Sequence, residues 1–127
     1  LDGAHNPAGL AALRVALDEG FAGAARVWVL GVLAGRDADE VIAALAPDPT
    51  RDQIVCCRPP SPRALDPEAL AGAARARGVP GDSVRVVPAV EVAVRAARDL
   101  AGAEDQVVVT GSLYLVGAAR SLLRGRG

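Results

Sequence analysis

The stretch "RVWVLGVLA", residues 26–34, decides the fold. It is apolar and β-branched without polar alternation. A strand with one wet face alternates; a continuous run of this kind is a strand covered on both faces, which is the habit of parallel sheets. Three more such runs lie downstream: "QIVCC" (53–57), "VRVV" (84–87) and "QVVVTG" (106–111). Between them stand segments with helical spacing. "DADEVIAALA" (37–46) takes Asp37 as its cap and is closed by Pro47 and Pro49. "PEALAGAARARG" (67–78) has Asp66 before it and Pro67 in its first turn. "AVEVAVRAARDLA" (89–101) carries Val90, Val94, Ala97 and Leu100 along one side. "SLYLVGAARSLL" (112–123) reads as a last helix capped by Ser112, and "RPPSPRALDP" (58–67) as a proline-stiffened loop.

Upstream of the first run, Leu10, Leu13 and Leu17 recur at helical spacing, with Val15 and alanines filling between them. Asn6 before Pro7 suits a helix start and Gly20 a helix stop. Four complete strands, each followed by a helix, predict a three-layer α/β/α sandwich on a mostly parallel, Rossmann-like sheet. A fifth strand is implied upstream, its end being "LDGAHNPAG" (1–9). Residues 1–127 read as one domain, cut from a longer enzyme.

Composition excludes several functions. The chain has 127 residues, 51% hydrophobic and 2% aromatic, with a net charge of −1. Neither sign dominates, so nucleic acid and anionic membrane surfaces are not expected partners. All 14 basic residues are arginine. Without lysine there can be no G-x-x-x-x-G-K-[ST] phosphate loop in this stretch. No G-x-G-x-x-G follows any strand. Cys56 and Cys57 are adjacent, which fits neither a zinc site nor a C-x-x-C pair, and in a strand they point to opposite faces. One histidine and no clustered carboxylates argue against a built-in metal site. No segment has the length of a membrane span or the form of a signal peptide, so a cytoplasmic protein is expected.

In a parallel sheet, ligands bind at the carboxyl ends of the strands. Asp2, His5 and Asn6 end the implied strand; Arg36 and Asp37 follow the second; Arg58 and Arg63 follow the third; Glu91 follows the fourth; Thr110, Gly111, Ser112 and Tyr114 follow the last. Asn6 and Ser112 are residue types that cap helices in any protein, the arginines suit plain surface, and Tyr114 could be core. Asp, His and Asn within five positions exceed what starting a helix requires. "DGAHNP" and "VTGSLY" each place helix-opening N–H groups where an anion could sit.

These two motifs resemble the C-terminal domain of the folylpolyglutamate synthase/dihydrofolate synthase family, a branch of the Mur ligase superfamily. The resemblance spans the chain, since the motifs lie at its two ends. Gly3 after Asp2 favours the folate branch over the D-Y-A-H of Mur ligases proper; a Mur-type peptidoglycan ligase remains the rival within that superfamily. A stand-alone α/β binding module is the alternative outside it. The resemblance implies an ATP- and magnesium-dependent ligase that adds L-glutamate to a folate or dihydropteroate carboxylate through an acyl phosphate. The phosphate loop and magnesium ligands would belong to an N-terminal ATPase domain of the same chain. It implies that Asp2 accepts from the ATP ribose hydroxyls, that His5 orients nucleotide or glutamate, and that Asn6, Ser112 and Tyr114 contribute to substrate binding. Where many members carry a D-K-D-like sequence, this chain has "AGRD", with Arg36 in place of the lysine. It further implies a sheet in which the last strand lies between the "DGAHNP" strand and the "RVWVLGVLA" strand.

Overall fold

The computed structural model describes residues 7–20 and 23–111. The elements run α1 (Pro7–Gly20), β1 (Arg26–Leu30), α2 (Ala38–Leu45), β2 (Gln53–Cys56), α3 (Pro67–Ala76), β3 (Val84–Val86), α4 (Val90–Leu100) and β4 (Gln106–Thr110), with one 3-10 turn at Gly81–Ser83. The four strands form a parallel sheet in the order β3-β2-β1-β4. Both faces are covered. One carries Leu10 of α1, Val41, Ile42 and Leu45 of α2, and Leu70, Ala71 and Ala74 of α3. The other carries Ala93, Val94 and Ala97 of α4, with Val90 and Leu100 packed beside them. The α/β/α sandwich read from the sequence is the fold observed.

Handedness explains the helix placement. The chain steps from β1 to β2 to β3 in one direction, so right-handed crossovers put α2 and α3 on one face. It then crosses back past β2 and β1 to reach β4, so the same rule puts α4 on the opposite face. Each residue of β1 is buried, because it has a strand on either side and a helical layer above and below.

Two sequence expectations are corrected. The apolar run 26–34 is not strand throughout. The strand stops at Leu30, and the remainder pairs with the loop after β2: Leu65 donates to the Val32 carbonyl (2.9 Å) and Ala34 to the Arg63 carbonyl (2.6 Å), around an antiparallel bridge of Leu33 with Ala64. Val32 stays fully buried there, which is why the run reads apolar past the strand's end. Val15 does not fill the α1 interface: it is 56% exposed, while Leu10, Leu13 and Leu17 face the core. The caps fall as expected. Asp37 accepts from the Asp39 N–H (2.8 Å) and Asp66 from the Glu68 N–H (2.9 Å). Helix α2 closes on Ala46 in a left-handed conformation, one residue before Pro47.

The amino edge of the sheet is locked by a polar cluster. Asp52, almost wholly buried, accepts from the Arg26 N–H (3.1 Å), the Trp28 indole N–H (3.1 Å) and the Asp48 N–H (2.9 Å). The Arg26 guanidinium donates to Asp18 (3.0 Å) and lies 5.9 Å from the Trp28 ring centre. Arg14 donates to the same Asp18 and to the Leu45 carbonyl (3.0 Å) at the end of α2. Hydrogen bonds from Arg14, then Arg26, hold the Asp18 carboxyl below the ordinary carboxylate range. This cluster fixes α1 and α2 to the first strand and leaves the opposite edge to function.

Candidate functional site

Strand order locates the crevice. Connections leave β1 toward β2 on one side, while β4, on its other side, is reached by the return crossover. The reversal falls between β1 and β4, and in doubly wound sheets ligands bind outside the carboxyl ends of the strands at such a switch point. Here it is formed by Leu30–Gly31 and Thr110–Gly111.

The two strand ends approach each other closely at that point. Gly31 donates to the Thr110 carbonyl (3.4 Å). Gly111 has φ +112°, and a Cβ on it would stand 2.6 Å from the Gly31 carbonyl oxygen and 3.0 Å from side-chain carbons of Leu30 and Val32. Both the dihedral and the contact require glycine. Gly111 thus turns the chain out of β4 directly over the exit of β1, and Ser112 is the next residue. Thr110 is fully buried beneath the turn.

Neighbouring loops continue this edge. The loop after β2 is bonded to the loop after β1 through Arg63 and Leu65, and Arg58 donates its backbone N–H to the Pro88 carbonyl (2.9 Å) ahead of α4. Arg36, Arg58 and Arg63 are exposed along it. Glu91 pairs with Arg95 (3.2 Å) and Asp37 serves as a cap, so neither is aimed at a ligand. Asp2, His5, Asn6, Ser112 and Tyr114 lie outside the described residues. What the structure places of the expected site is its frame: α1 opening at Pro7, β4 ending at Thr110, and β4 beside β1, as the resemblance implies for that pair.

Sequence reasoning missed the Gly31–Gly111 approach. Its only signal was a glycine within or at the end of each of the two runs, directly after the strand in the structure, and nothing in the sequence pairs one with the other. Among the described residues no group of three or more His, Cys, Asp or Glu could hold a metal, and no helix is long and apolar enough to cross a membrane. The two cysteines divide between the faces, Cys56 in one core and Cys57 in the other, and burial pushes both thiols up to about 12. Protonated and enclosed, neither is a nucleophile.

Known proteins agree with this architecture. The chain is 42% identical over 135 residues to the dihydrofolate synthase/folylpolyglutamate synthase of Mycobacterium tuberculosis, a match covering 96% of this chain and 27% of that protein. Among solved structures, M. tuberculosis folylpolyglutamate synthase complexed with ADP and AMPPCP superposes with a TM-score of 0.83 at 40% identity, over 96% of this chain and 28% of that one. The bifunctional folylpolyglutamate synthase/dihydrofolate synthase of Yersinia pestis, complexed with AMPPNP and a manganese ion, gives 0.78 at 30% identity, over 98% and 28%. The chain therefore spans little more than a quarter of the length of these relatives. The profile of the family described as "Mur ligase, glutamate ligase domain" matches residues 1–113, and the chain belongs to that family.

Proposed function

We propose that residues 1–127 are the C-terminal domain of an ATP-dependent ligase that adds L-glutamate to a folate or dihydropteroate carboxylate through an acyl phosphate. The observation that carries this reading is the switch point between β1 and β4, where Gly111 ends β4 at the carboxyl edge over the exit of β1, in a chain of the glutamate ligase domain family. A Mur-type peptidoglycan ligase is less favoured, because relatives that match 96–98% of the chain are folate enzymes.

On this reading the N-terminal domain supplies the phosphate loop and the magnesium ligands. The C-terminal domain closes over the cleft. Asp2 offers two acceptor oxygens to the vicinal hydroxyls of the ATP ribose. His5 orients nucleotide or glutamate from the same loop. Ser112, Asn6 and Tyr114 shape the pocket for the incoming glutamate, where the N–H groups opening a helix suit a carboxylate. Closure keeps water from the acyl phosphate and aligns the attacking amine.

The test is Asp2→Ala in the complete enzyme, with ATP varied. A hydrogen bond to a charged group contributes roughly 1.5–3 kcal/mol, so ATP should bind about tenfold more weakly or worse, and turnover should fall with it. Folate KM should change less. Unchanged ATP KM and kcat in folded protein would refute the nucleotide role. The separated chain should form no ADP in the presence of folate and glutamate.

A further inference from the structure

Resting on that reading, we infer that Arg58 and Arg63, on the loop after β2, form a subsite for the carboxylates of an oligoglutamate tail on the substrate. The argument begins with how arginines are used elsewhere in the molecule. Arg14 and Arg26 pair with Asp18, Arg51 with Asp48 and Arg95 with Glu91. Arg85 donates to the Gln53 side chain and Arg75 to the Val84 carbonyl. Arg77 and Arg98 stand at the carboxyl ends of α3 and α4, where a cation meets the negative end of the helix dipole.

Only Arg36, Arg58 and Arg63 remain among the described arginines, and all three lie on the carboxyl edge. Their positions run against local electrostatics. Arg36 precedes α2, Arg63 precedes α3, and Arg58 is bonded through its backbone to Pro88 just ahead of α4. These are the positive ends of helices, where a cation is disfavoured. The carboxylates near these helix starts, Asp37, Asp39, Glu40, Asp66, Glu68 and Glu91, form no ion pair with the three arginines: Asp37 and Asp66 accept from backbone N–H groups as caps and Glu91 pairs with Arg95. Locally unfavourable charge that the fold does not use is where function is expected.

The loop also presents this charge at little entropic cost. Pro59, Pro60 and Pro62 stiffen residues 58–63, and the hydrogen bonds to Pro88 and Ala34 tie its two ends to neighbouring loops. Two exposed guanidiniums on one tethered loop offer two points of positive charge, which suits a ligand carrying more than one anion. Each glutamate added through an amide leaves one carboxylate free, so a growing tail is such a ligand. The planar guanidinium fork is suited to carboxylates.

The test uses the complete enzyme with Arg58→Ala, Arg63→Ala and the double variant. Substrates carry either one glutamate or four. An exposed ion pair contributes roughly threefold to fivefold in affinity, so KM for the tetraglutamyl substrate should rise by about that factor per arginine. KM for the monoglutamyl substrate and for ATP should move less than twofold. Arg→Lys at both positions should restore part of the preference, through charge without the fork, and the wild-type preference should shrink as salt is raised. Equal effects on both substrates, a rise confined to ATP, or no effect in active enzyme would overturn the subsite alone. Wild-type enzyme that forms no glutamate-dependent ADP on either substrate would refute the ligase reading, and the subsite with it.

Discussion

Replacing Asp52 by alanine should be among the most damaging single changes in this domain, although it lies at the edge away from the proposed site. Asp52 is 3% exposed, and its carboxylate accepts from two backbone N–H groups and the Trp28 indole. Alanine removes both acceptor oxygens, and with them three hydrogen bonds, and leaves water little access to the orphaned donors. A buried donor without a partner costs roughly 1–3 kcal/mol, so the loss should total about 3–5 kcal/mol after some rearrangement. Asp52→Asn keeps one acceptor oxygen but sets an amide NH2 against a donor, and should cost about 2–3 kcal/mol. Urea unfolding of wild type and both variants, followed by far-ultraviolet circular dichroism, gives the values. Trp28→Phe separates the indole's share through a double-mutant cycle with Asp52→Asn. A loss below about 1 kcal/mol for Asp52→Ala would refute the account, since it would mean that the three donors are satisfied without the carboxylate.

Gly111→Ala should cost about 3 kcal/mol or more, because a Cβ would meet the Gly31 carbonyl at 2.6 Å and φ +112° is a conformation that only glycine holds without strain; a thermal melt within a degree of wild type would contradict the close packing of β4 on β1. The cysteines give an alkaline signature. With both thiols raised from 9.0 to about 12 by burial, the folded chain keeps its protons while the unfolded chain loses them, so stability present below pH 9 should decline as pH rises toward 12. Replacing Cys56 and Cys57 by alanine and valine should flatten that decline, and a thiol reagent at pH 8 should label wild type only in denaturant.

The layered fold was legible because burial on both faces leaves a plain mark. Strands such as "QIVCC" and "QVVVTG" have no polar positions within their apolar stretches, and Asp37 and Asp66 announce the helices that follow. The place of β4 beside β1 was not legible from periodicity, since 3.6- and 2-residue repeats carry no information about which strands adjoin; the resemblance supplied it. The role of Asp52 was hidden for a similar reason. Two of its three partners, Arg26 and Trp28, are more than twenty residues away, and only the parallel register of Val27 against Gln53 brings them together. Val15 misled because an apolar residue at helical spacing looks the same on either side of an alanine-rich helix.

Trp28 is the single tryptophan of the chain, fully enclosed and bonded to a carboxylate at the edge opposite the crevice. The domain therefore contains its own optical gauge. In the separated domain, indole emission should be blue-shifted and shielded from acrylamide while β1 holds its neighbours, and should move to the red when that core opens. Ligands arriving at the far ends of the strands leave the indole's surroundings intact. Emission from this one residue thus distinguishes a variant that has lost its fold from one that has lost only its grip on substrate.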